Sequence, residues 1–108
     1  MAIPFLDVLR TWYDDYVAGG GRRNVRVEWH EDLRDGPKRA AWIVARGPNA
    51  AGQQTLWESG ECETEAVGSP RVGEPHTILL RSRVLSDASL VALVADDLVD
   101  HLGDYSGT

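Results

Sequence analysis

Hydrophobic positions recur along this chain with two periods, one near each terminus that suits a helix and one between them that suits strands. From Ile3 to Ala18 the apolar residues Phe5, Leu9, Trp12, Tyr13, Tyr16 and Val17 return at helical spacing, with Pro4 in the first turn and Gly19-Gly20-Gly21 as the stop. At this spacing the aromatics read as core against a sheet rather than as a stacking platform for a ligand. From Asn24 to Leu33, Val25, Val27 and Trp29 alternate with Arg26, Glu28 and His30, which predicts a strand with one dry and one wet face. Asp35-Gly36-Pro37 predicts a turn, and Lys38 to Arg46 predicts a second strand. With Ala41, Ile43 and Ala45 toward the core, small side chains leave room for a close helix and Trp42 lies on the other face, although the opposite phase is also open.

The stretch Gln54 to Val67 reads as one longer strand with a conflict of phase. Strict alternation would put Trp57 on the side of Glu61, Glu63 and Glu65 and would bury Glu58. A bulge at Ser59-Gly60 resolves this, placing Trp57 with Cys62, Thr64 and Ala66 on the core face and all four glutamates toward water. Trp12, Trp29 and Trp57 are accordingly expected in the core. Gly47 to Gln53 and Gly68 to Gly73 read as loops. Pro75 to Leu85 predicts a fourth strand, with Ile78, Leu80, Ser82 and Val84 on one face and Leu79, Arg81 and Arg83 on the other, where the arginines can pair with glutamates across a hairpin.

Ser86 to Leu102 predicts the second helix, with Ser86 as its N-cap, Leu85 and Leu90 at staple positions and Asp87 at the positive end. Leu90, Val91, Leu93, Val94, Leu98 and Leu102 supply a broad apolar face. Asp96, Asp97, Asp100 and Asp104 gather at the far end, where the helix dipole favours cations. The order α-β-β-β-β-α with short connections predicts a single α+β domain over residues 1–108. Its architecture is a four-stranded antiparallel meander with both helices on one face.

Composition narrows the functional classes. The 108 residues carry a formal charge of −6, divided as eight basic and seven acidic residues up to position 50 and three and ten thereafter. An acidic second half disfavours bare nucleic acid and anionic membranes and favours a basic partner. No apolar run approaches the roughly 20 residues of a membrane span and no basic stretch precedes an apolar one at the start, so the expectation is a cytoplasmic protein. The single cysteine, Cys62, makes neither a disulfide nor a zinc site by itself and reads as a small buried hydrophobe.

No residue pattern carries catalysis. Glu58-Ser59-Gly60 lacks the nucleophile elbow, and the glycines of Gly47 to Gln53 lack the lysine and following helix of a phosphate loop. His30 with Glu28 and Asp32, and His101 with Asp97 and Asp104, have metal-ligand residue types without metal-ligand spacing. The expectation is a protein that is not an enzyme, with no cofactor and no metal.

Surface character is more informative. The face away from the helices is expected to carry Arg26, Glu28, His30, Trp42, Arg46, Glu61, Glu63, Arg81 and Arg83, a tryptophan ringed by charge as at an interface hot spot. The candidate partner-binding residues are Trp42, Glu58, Glu61, Glu63, Glu65, Asp97, Asp100 and Asp104.

Phe5 and Trp12-Tyr13 in the first helix, Val25-Arg26-Val27-Glu28-Trp29, Leu56-Trp57-Glu58-Ser59-Gly60-Glu61, and a strand running into the Ser86 helix together resemble the TriTu-type immunity proteins of bacterial polymorphic toxin systems. The resemblance spans most of the chain and implies a small cytoplasmic protein that binds and neutralises a cognate toxin and needs no catalytic residues. Two alternatives stand beside it. One is a structural or adaptor domain that homodimerises through the open sheet face; the other is a small-ligand binder or enzyme with a pocket between helix and sheet near Trp12, Trp29 and His30.

Overall fold

The computed structural model describes residues 5–21, 24–32, 39–48, 50–68 and 77–103. Its elements run α1 (Phe5–Ala18), β1 (Arg26–Asp32), β2 (Ala40–Arg46), β3 (Ala50–Trp57), β4 (Glu61–Gly68), β5 (Thr77–Val84) and α2 (Leu90–Gly103). The five strands form one antiparallel sheet in the order β1-β2-β3-β4-β5. The α+β class and the antiparallel meander agree with the sequence pattern; the strand number is five rather than four. Pro4, the Asp35-Gly36-Pro37 turn, residues 69–76 and Asp104 lie outside the described residues.

The extra strand comes from the stretch Gln54 to Val67, which is a hairpin and not a bulged strand. Glu58-Ser59-Gly60 is a three-residue loop in which the Gly60 N–H donates to the Trp57 carbonyl at 2.9 Å, and Gly60 takes φ +95°. A turn closed by a left-handed residue needs glycine, so the demand that suggested a bulge is met at a reversal of the chain. β3 then extends back to Ala50, through residues expected to be loop. The reversal also overturns the expected phase: Leu56 and Cys62 pair and are buried, while Trp57 is half-buried on the side of Glu61, Glu63 and Glu65.

Both helices cover one face. Leu6 and Leu9 of α1 are buried, with Phe5, Val8, Trp12 and Tyr16 packed partly against the same core. In α2 the buried positions Val91, Val94, Ala95, Leu98, Val99 and Leu102 follow the 3.6 period. Beneath them lie Ala41, Ile43 and Ala45 of β2, one of the two phases that the alternation of that strand leaves open, with Leu56, Cys62 and Ala66. Trp12 and Trp29 pack against this core, as expected. The Trp12 indole N–H donates to Asp96 across the helix pair at 3.0 Å, and the Arg10 guanidinium sits 5.0 Å from the Trp29 ring centroid.

The helix ends follow local chemistry. Gly21 and Gly20 donate to the Tyr16 and Val17 carbonyls, both at 3.0 Å, and Gly20 has φ +83°, a Schellman stop. α2 starts at Leu90, later than expected, because Asp87 rather than Ser86 organises its entry. The Asp87 carboxylate accepts the Ser89 N–H at 2.8 Å and its carbonyl accepts the Leu90 N–H at 3.1 Å. Hydrogen bonding from Ser89 holds the exposed Asp87 carboxyl below its ordinary value.

Gly60 and Gly20 separate two costs. A Cβ at Gly60 would meet the Leu85 carbonyl at 2.8 Å and Phe5 at 3.0 Å, whereas one at Gly20 meets nothing within 4 Å. Gly60→Ala should therefore cost about 2 to 3 kcal/mol, backbone strain plus a clash, and Gly20→Ala about 1 kcal/mol, strain alone. Urea unfolding of both variants checks this; equal losses would contradict the hairpin.

Candidate interaction surface

The sheet face turned away from the helices is covered by no described element. Because side chains alternate along each strand, burying Ala41, Ile43 and Ala45 sends Trp42 and Val44 outward, and the register carries that phase across the sheet. One row reads His30, Trp42, Thr55, Glu63 and Ser82; the next reads Glu28, Val44, Gln53, Glu65 and Leu80. Flanking rows place Arg26, Arg46, Ala51 and Val67 on one side, and Asp32, Ala40 and Trp57, with the pair Glu61 and Val84, on the other.

Charge on this face is unevenly satisfied. His30 stacks on Trp42 with ring centroids 5.7 Å apart and an interplanar angle of 12°. Glu28 lies 3.6 Å from His30 Nε2 and 3.8 Å from Arg46 Nε, so the β1–β2 corner is close to self-neutralised. On β4, by contrast, Glu63 and Glu65 are exposed and make no ion pair among the described residues. Five carboxylates and two guanidiniums occupy the described face, a net of −3, with the surplus on β4.

Apolar side chains flank the carboxylates on both sides. Trp42, Val44 and Trp57 are half-buried on β2 and β3, while Val67, Leu80 and Val84 are 48, 72 and 71% exposed on β4 and β5. Leu80, Ser82 and Val84 were expected inside and Arg81 and Arg83 outside. The structure inverts this phase, since Arg81 pairs with Thr64 and Arg83 with Cys62 on the helix side, so neither arginine faces the glutamates across the hairpin. The Ile-Leu-Leu run at the start of β5 hides the alternation that would have shown it, and the outward leucine and valine escaped notice for that reason.

The candidate partner-binding residues divide between two surfaces. Trp42, Glu61, Glu63 and Glu65 come together on the open face, and Glu58 is exposed in the hairpin loop at its rim. Asp97 and Asp100 belong to α2 on the opposite layer, in a cleft of about 300 Å³ also lined by Gln54, Thr64, Arg81 and His101. The acidic end of α2 thus has a cation beside it that the sequence did not reveal. Asp104 lies outside the described residues.

The ligand site suggested near Trp12, Trp29 and His30 does not assemble, because Trp29 faces the helices and His30 the open side. A cleft of about 420 Å³ between α1 and α2 is lined instead by Trp12, Tyr16, Asp15 and Asp96 among others. Among the described residues no three His, Cys, Asp or Glu side chains group as metal ligands, and no helix is long and apolar enough to cross a membrane. Comparison with family models, with curated proteins and with solved structures finds no match.

Cys62 is buried, and burial pushes its thiol above the ordinary value, partly offset by a hydrogen bond with Thr64. It should resist an aromatic disulfide reagent at pH 8 until the chain is unfolded in urea. Above the thiol's ordinary value of 9.0 the unfolded chain loses this proton while the folded one keeps it, so this group's contribution to stability falls as pH rises. Rapid modification of the native protein at pH 8 would contradict its burial.

Proposed function

We propose that this chain is a non-enzymatic binding protein that captures a basic protein partner on its open sheet face. The resemblance to toxin-neutralising immunity proteins makes a cognate toxin domain the partner to test. The observation that supports this reading most is the row of β4 carboxylates standing between two apolar strips on an uncovered face. An apolar centre beside charge is the anatomy of a protein interface, in which aromatic anchors slow dissociation and complementary charge speeds encounter. A domain that handles nucleic acid or another anion presents the lysines and arginines that Glu63 and Glu65 would meet.

Homodimerisation through the same face is the less favoured reading. A face-to-face twofold contact whose axis crosses the strands would stack the β4 glutamates of both copies, and like charges in one interface cost affinity. Nucleic acid as a partner meets the same objection, since the phosphate backbone and the β4 row have one sign.

Steering and anchoring should separate in binding kinetics. With a basic toxin domain that the wild-type protein binds as analyte, Glu63→Gln with Glu65→Gln should slow association about threefold to tenfold and flatten its salt dependence. Trp42→Ala should leave association nearly unchanged and speed release by a comparable factor. Kinetics insensitive to salt and to all three substitutions would overturn the proposal.

A further inference from the structure

Strand β5 lies beyond the helical layer. α1 packs on β1, β2 and β3, and α2 on β2, β3 and β4, but the backbone of neither helix comes close to β5, which among the described residues meets α2 only where the Arg81 side chain lines the cleft beside Asp97 and Asp100. Leu80, Arg81, Ser82, Arg83 and Val84 are all exposed, so this part of the strand is solvated on both faces. β5 pairs with β4 in unbroken register from Glu61 opposite Val84 to Gly68 opposite Thr77, and it is the last strand of the sheet. Its outer backbone groups form a straight edge eight residues long, without proline or bulge. Edges of this kind recruit further strands unless charge or cover prevents it.

We propose that β5 is a docking edge for an extended segment of a partner protein that adds as a sixth strand, with carboxylates alternating with aliphatic side chains. The alternation follows from the two faces of the edge. On the helix side Arg81 and Arg83 make no ion pair with a described residue, and a neighbouring strand sets its own side chains opposite them. On the open side Leu80 and Val84 offer 72 and 71% exposed aliphatic surface. Main-chain hydrogen bonds supply affinity in such additions, and the alternate side chains select the sequence. Arg81 has Asp97 and Asp100 in the cleft on its inner side, which leaves Arg83 the larger share of the selection.

A second copy of the chain fits this edge less well. Pairing the stretch from Leu80 to Val84 with itself, helices on the same side, sets Arg81 opposite Arg83 twice, and like charges directly opposite are destabilising. The arginines thus guard against self-association and admit an acidic strand. The edge shares Leu80 and Val84 with the open face, and the two proposals are tested apart because charge reversal at Arg81 and Arg83 leaves Trp42, Glu63 and Glu65 in place.

The test is an NMR titration of the ¹⁵N-labelled protein with two blocked octapeptides, alternating Glu-Val and alternating Lys-Val. The Glu-Val peptide should shift the amides of residues 77–84 and bind about tenfold more tightly than the Lys-Val peptide. Arg81→Glu with Arg83→Glu should reverse that preference, a gain of binding that misfolding cannot imitate, and Arg83→Glu alone should move it further than Arg81→Glu alone. Equal affinity for both peptides, shifts confined to the open face, no binding at all, or a concentration-dependent mass accompanied by shifts at β5 would each overturn the proposal.

Discussion

Helix α2 can lie close on the sheet only because the strands beneath it present little side chain. Ala41 and Ala45 are fully buried, Ala66 nearly so, and a Cβ at Gly52 would come within 2.9 Å of Leu98 and 2.8 Å of the Glu65 carbonyl. One polar group fixes the contact. The Gln54 amide, 2% exposed, donates to the Thr64 hydroxyl and to the Val94 carbonyl, both at 3.1 Å, tying β3, β4 and α2 together. A buried amide is tolerated when its hydrogen bonds are made and is costly when they are not, so it specifies one seating of the helix.

That seating has a geometric consequence for what is left uncovered. Strands stand about 5 Å apart and packed helices about 10 Å, so two helices that overlap above β2 and β3 do not span five strands. The helical layer stops at β4. Among the described residues, nothing covers the face of the sheet opposite the helices, and beyond α2 the stretch from Leu80 to Val84 of β5 is exposed on both sides. The close packing at Gly52 and the exposure of Arg81 and Arg83 on the helix side of β5 are two results of one arrangement.

The sequence revealed the parts whose burial has a clean period. Both helices follow 3.6-residue spacing, and the alternation of β2 showed a strand but left two phases open, of which the structure takes the one with Ala41, Ile43 and Ala45 inward and Trp42 outward. It misled where the inward side chains are not recognisably hydrophobic. β3 buries Gln54 above Gly52, so its first residues resemble loop, and the turn Glu58-Ser59-Gly60 lacks the Asn-Gly signature of a tight hairpin. β5 has exposed residues on both sides, so no burial period exists there to be read, and its charges suggested the wrong face. Of the candidate interaction residues, those on β2 and β4 assembled because the two strands flank β3 in one register and present Trp42, Glu61, Glu63 and Glu65 in the same phase. Asp97 and Asp100 fell elsewhere because net charge along a sequence says nothing of which layer it occupies.

Capture of a basic partner requires an open sheet face that is both solvated and electronegative in the free protein. Paramagnetic relaxation of backbone amides by a cationic and by an anionic nitroxide measures both properties at once. The cation should broaden residues 61–65 more strongly than the anion, the difference should shrink in high salt, and residues 41–45 of β2 should respond through their outward positions. Weak and equal broadening of these strands by both probes, as a covered or neutral face would give, would contradict such capture.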